Sequence, residues 1–80
     1  MASQPGIQLT DQQRAALRGA RLTAQKTLEK LAAQIGVSHV ALVRYEAGQS
    51  RPSIEVLRRW GALLGFEVVE LGIVLRKRRK

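Results

Sequence analysis

Eighty residues carrying fourteen Lys and Arg against six Asp and Glu make a small basic chain of net charge +8 at pH 7, sized for one domain. No cysteine and a single histidine leave neither a disulfide framework nor a histidine or thiolate metal site. A hydrophobic fraction of 45% is too high for a disordered polyelectrolyte, and the apolar runs are too short to span a membrane.

Residues 1–9 include Ser3, Gln4, Pro5 and Gly6 and read as a flexible arm. They lack a basic-then-apolar signal pattern, so a cytoplasmic location is expected. Thr10-Asp11-Gln12-Gln13 has capping-box spacing and predicts a helix to about Gln25. In it Leu17 faces inward near Ala16 and Ala20, Arg14, Arg18 and Arg21 lie on the more polar side, and Gly19 weakens it. Thr27 caps a second helix, whose Leu28, Leu31, Ala32 and Ile35 recur at the spacing of one buried face. Gly36 ends it in the left-handed manner, Ser38 caps a third helix, and Gly48 closes that one the same way. Gly36-Val37-Ser38 is too short a connection for an antiparallel return, so the two helices must cross steeply, as a helix-turn-helix.

The loop Gln49-Ser50-Arg51-Pro52 leads to Ser53, the cap of a fourth helix. Ile54, Leu57, Gly61 and Leu64 form its inward stripe, with Val56, Trp60 and Leu63 beside them, and Gly65 ends it. From Phe66 the period changes. Val69, Leu71, Ile73 and Leu75 alternate, which argues a strand over residues 66–75; Val68, Leu71 and Leu75 also fit helical spacing and leave a fifth helix as the alternative. A lone apolar strand in a helical chain has unpaired edges, and a second copy supplying the same strand about a two-fold axis would cover them. Dimerisation through residues 66–75 is therefore the expectation, followed by a basic tail, Arg76 to Lys80. That tail holds five cations, and the remaining nine set against six carboxylates leave the body at +3. The charge proposes a polyanion partner without locating it.

From Leu17 to about Leu64 the chain resembles the Cro/phage-repressor helix-turn-helix family, of the xenobiotic-response-element type. The likeness is carried by Thr27-Leu28-Glu29-Lys30-Leu31-Ala32, Gly36-Val37-Ser38, Val43-Arg44-Tyr45-Glu46-Ala47-Gly48 and Arg51-Pro52-Ser53. It departs at Gln25-Lys26, where the family usually has Gly-Leu, at Leu28, where Gln is frequent, and at Ala20, where a larger apolar residue is frequent. The resemblance implies a mostly α, four-helix lambda-repressor-like domain over residues 10–65, with the helix-turn-helix at about 28–47. It also implies a homodimeric repressor on double-stranded DNA, reading two half-sites about 34–36 Å apart in the major groove, and an ion pair between Arg21 and Glu46. A compact domain followed by Gly65-Phe66-Glu67-Val68 also resembles the antitoxins of bacterial toxin–antitoxin operons, which would add a cognate toxin as partner.

On that pattern Val37, Leu42 and Tyr45 point inward, leaving Ser38, His39, Val40, Ala41, Val43 and Arg44 toward DNA. Val40 and Val43 suit thymine methyls or are simply exposed apolar surface, Arg44 can donate twice to guanine or clamp a phosphate, and His39 can donate to a base edge or a phosphate. Thr27 at the start of the second helix, and Gln49, Ser50 and Arg51 in the loop, are the phosphate candidates, with Ser53 a second anion site. No nucleophile stands in sequence with a base, so no enzyme is expected, and no metal or cofactor. The competing reading is a protein-interaction module on the same scaffold with no specific DNA target. The missing Gln at Leu28 and the valines of the third helix favour it.

Overall fold

A computed structural model describes residues 6–69 and 74–77. Four helices, α1 (Asp11–Thr23), α2 (Leu28–Ile35), α3 (His39–Ala47) and α4 (Ile54–Leu63), are followed by strands β1 (Phe66–Val69) and β2 (Val74–Lys77).

Local chemistry fixes the helix starts. The hydroxyls of Thr10, Thr27, Ser38 and Ser53 each accept the backbone N–H three residues on, and the Gln13 side chain closes the capping box by accepting the Thr10 N–H. Each cap satisfies one of the N–H groups that a helix start leaves without a partner. Gly36 (φ 94°) and Gly48 (φ 80°) end α2 and α3 in the left-handed region. α1 stops at Thr23, two residues before the expected Gln25, because the chain turns left-handed at Gln25 (φ 59°). That is the position where the resembling family usually has glycine.

One apolar stripe from each helix meets in the core. Leu17, Leu31, Ala32, Ile35, Leu42, Leu57 and Trp60 are buried, joined by Leu9 and Phe66 from outside the helices. Replacing any of the core leucines by Ala would cost about 2–5 kcal/mol. The segment read as a flexible arm differs in its described part. The Ile7 N–H donates to the Pro52 carbonyl at 2.7 Å, Leu9 is buried, and Gly6 lies against Arg51 where a Cβ would strike the backbone. Ile7 and Leu9 are two apolar residues just ahead of a cap, a signal short enough to pass unread beside Pro5 and Gly6.

The C-terminal expectation needs correction too. Residues 66–75 are not one strand, nor a fifth helix. β1 and β2 pair antiparallel with Phe66 opposite Lys77 and Val69 opposite Val74, so the strand finds its partner within the chain. Directly opposed residues share a face. Phe66, Val68 and Leu75 therefore turn to the core, while Glu67 and Arg76 form an exposed ion pair at 3.1 Å on the other side. Gly61 of α4 makes room for this packing, its missing Cβ lying 3.3 Å from Val68 Cγ2. Arg76 and Lys77 belong to β2 and not to a tail. Leu71 and Ile73 of the alternation, and Arg78 to Lys80 of the tail, lie outside the described residues. No helix among the described residues is long and apolar enough to cross a membrane.

Candidate nucleic-acid interface

α3 buries one residue fully, Leu42, and half-buries Ala41, Tyr45 and Glu46. Its opposite side is open. Ser38, His39, Val40, Val43 and Arg44 are exposed, with Val40 at 56% and Val43 at 38%. Among the described residues, the side chains of His39 and Arg44 make no hydrogen bond or ion pair. Two donors and two aliphatic groups thus stand on one helix face with nothing in the chain to satisfy them. Ala41 is at the rim of that face. Val43 borders a surface cavity of about 180 Å³ shared with Arg18, Leu28, Glu46 and Ala47.

Groups suited to phosphate flank this face. Thr27 is exposed, and its hydroxyl oxygen accepts the Lys30 N–H at 3.0 Å. The hydroxyl hydrogen stays free to donate, so capping leaves a donor exposed at the start of α2. Ser38 is placed alike at the start of α3, accepting the Ala41 N–H at 3.0 Å. After α3, the Gln49 and Ser50 N–H groups both turn back to the Arg44 carbonyl, at 2.8 and 3.4 Å. Gln49 and Arg51 are exposed and Ser50 is half-buried. Ser53 sits beyond them, its hydroxyl accepting the Val56 N–H.

Two side chains that the sequence pattern did not single out set this loop in place. Arg14 donates to the Leu9 carbonyl at 3.1 Å and pairs with Asp11, and its guanidinium lies over Gly48, where a Cβ would come within 2.7 Å of it. Gln8 accepts from Arg51 at 3.2 Å. The i, i+3 spacing of Asp11 and Arg14 signals the local pair; nothing in the sequence signals the reach to Gly48.

A buried ion pair fixes the far side of α3. Arg21 Nε donates to Glu46 Oε2 at 2.8 Å and the second nitrogen reaches Oε1 at 3.3 Å, both side chains only about a tenth exposed. The remaining guanidinium nitrogen donates to the Lys26 carbonyl at 3.1 Å, tying the α1–α2 connection to the same point. Helical period alone puts Arg21 with the polar residues of α1, but the side chain is buried, because Glu46 supplies the counter-charge that makes burial affordable.

A family model described as helix-turn-helix matches residues 17–71, from the middle of α1 into the segment after β1. A search of curated proteins returns no match.

Proposed function

Since the chain belongs to the helix-turn-helix family, a DNA-binding one, we propose that it is a sequence-specific transcriptional regulator that represses by occupying an operator. The observation that carries this is the open face of α3, where His39, Val40 and Arg44 project without intramolecular partners between capped helix starts and the loop Gln49–Arg51. In this reading α3 enters the major groove. Arg44 and His39 contact base edges; Thr27, Ser38, Gln49, Ser50 and Arg51 hold phosphates; and Ala41 and Val43 line the edge of the contact. The protein works as a homodimer on two half-sites, on the nucleoid in the cytoplasm. The hairpin supports dimerisation in a revised form: β1 and β2 pair with each other, and each keeps an outer edge to which a second copy can add a strand. As an antitoxin, the same regulator would take a cognate toxin as a further partner.

Anisotropy titration of a duplex selected from random DNA, against a scrambled duplex over a salt series, tests the reading. The expected result is tighter binding to the selected duplex and log K falling linearly with log salt. Replacing Arg44 by Ala should cost about 1–3 kcal/mol on the selected duplex and little on the scrambled one. Salt-independent binding without preference would instead leave the protein-interaction module. Sedimentation equilibrium showing only monomer at micromolar concentration would remove the dimer.

A further inference from the structure

A partly enclosed cavity of about 100 Å³ lies between the loop after α3 and the segment Ile7–Leu9, lined by Arg14, Tyr45, Ser50 and Arg51 with Gly48 in its wall. It is rich in donors. Arg14 donates to the Leu9 carbonyl and to Asp11, and Arg51 donates to Gln8, which leaves most of the N–H groups on each guanidinium unspent. The Tyr45 and Ser50 hydroxyls make no hydrogen bond among the described residues. Tyr45 is half-buried, with its ring 6.2 Å from that of Trp60, and a phenol so placed ordinarily finds a partner. Acceptors beside these donors are engaged: the Leu9 carbonyl by Arg14, Gln8 Oε1 by Arg51 and the Pro52 carbonyl by the Ile7 N–H. No carboxylate lines the cavity. Asp11, paired with Arg14 from outside it, is 94% exposed and offsets little of that charge.

We propose that this cavity binds a small free oxyanion of the phosphate class. Two guanidiniums repel a cation, and a neutral polyol brings donors of its own, whereas an oxyanion brings acceptors alone. The volume holds a few waters' worth of ligand, enough for inorganic phosphate and far below the size of a nucleotide pocket. Arg14 grips the ligand from α1, its guanidinium held over Gly48 by the Leu9 carbonyl and Asp11. Arg51 closes on it from the loop, and because Gly6 packs against the Arg51 backbone, only the side chain has to move. The consequence for function rests on the DNA-binding reading. Arg51 cannot hold the ligand and a DNA phosphate at once, and the ligand adds negative charge beside the loop. Occupancy therefore weakens DNA binding, and DNA weakens ligand binding by the same factor.

The test titrates the full chain with inorganic phosphate, against chloride at matched ionic strength, and follows the backbone amides by NMR without DNA. The amides of Gly48, Ser50 and Arg51 should shift together and saturate, while those of Ala33 and Gln34, outside the cavity, stay still. Tyr45→Phe removes the hydroxyl and keeps the ring against Trp60. It should raise the phosphate Kd about tenfold, the worth of one hydrogen bond to a charged group. Arg51→Gln, at an exposed position, should do the same, and thermal melting in chloride verifies that both variants fold. With a duplex selected from random DNA, saturating phosphate should weaken wild-type binding severalfold at constant ionic strength. Tyr45→Phe should bind that duplex like wild type in chloride and resist the same phosphate concentration. Shifts that never saturate, or that both substitutions leave unchanged, overturn the proposal. So does weakened DNA binding by Tyr45→Phe in chloride, which would assign the cavity to a backbone phosphate of the DNA. Saturable binding that leaves DNA affinity unchanged overturns the antagonism alone. A wild type with no preference for the selected duplex in chloride overturns the DNA-binding reading, while the titration without DNA still decides the site.

Discussion

Replacing Glu46 by Ala puts the buried ion pair to a quantitative test. The substitution removes both hydrogen bonds that Arg21 makes to the carboxylate, at 2.8 and 3.3 Å, and leaves the guanidinium with the Lys26 carbonyl alone. The Arg21 side chain is only 10% exposed, so water cannot replace the lost charge without the helices parting. Stranding one member of such a pair costs about 3–5 kcal/mol. A chain of this length has a total stability of only about 4–12 kcal/mol, so the variant sits near the edge of folding. In a domain this small each kcal/mol moves the melting temperature by about 4–8 °C, and a fall of at least about 12 °C is expected by circular dichroism. Glu67→Ala is the internal control. Its pair with Arg76 is more than half exposed on both sides, where ion pairs contribute at most about 1 kcal/mol. Removing both buried charges together, as Arg21→Met with Glu46→Leu, should recover most of the loss. A Glu46→Ala protein melting within about 3 °C of wild type would refute the reasoning.

Gln25→Gly should stabilise the protein by about 0.5–1 kcal/mol: a left-handed φ costs a side-chain-bearing residue about 1–2 kcal/mol, partly offset by the extra unfolded-state entropy of glycine. A urea midpoint that rises supports this, and one that falls contradicts it. Gly48→Ala should destabilise the protein by about 1–2 kcal/mol and so lower that midpoint, mostly from its φ of 80°, since the Arg14 guanidinium in the way is a flexible end that can swing aside. Gly61→Ala should be close to neutral, the gain in helix propensity offsetting a tight contact with Val68, whereas Gly61→Leu should cost about 1–3 kcal/mol by pushing β1 from α4. Amide exchange across β1 and β2 would show whether the loss is local to the hairpin.

Features written in local chemistry were legible in the sequence. A cap is one hydroxyl and one amide three residues away, so Thr10, Thr27, Ser38 and Ser53 locate all four helix starts. Gly36 and Gly48 mark two of the helix ends by the φ that they permit. What stayed hidden depends on partners distant along the chain. Alternation has the same period in one long strand as in two that fold together, and so Phe66–Leu75 reads as continuous until the pairing of Val68 with Leu75 is seen. Arg14 over Gly48 and Leu9 in the core are likewise contacts between segments that no spacing rule connects. The open face of α3 was legible for the opposite reason: the side chains of His39, Val40 and Arg44 answer to no other part of the described chain, and helical period alone places them.

That separation has a consequence for how such a protein diverges. Four ties hold the inner side of α3 and the loop that follows it: Glu46 to Arg21, Gly48 beneath Arg14, Arg51 to Gln8, and the Pro52 carbonyl to Ile7. Positions 39, 40 and 44 share in none of them. Changes there leave the anchor of the helix untouched, and helix propensity is the main stability term left for them to alter. On the proposed DNA-reading role of this face, target preference can drift in single steps without any step passing through an unfolded intermediate. A library randomised at those positions should remain almost entirely folded, with its members differing in what they bind and hardly at all in how they melt.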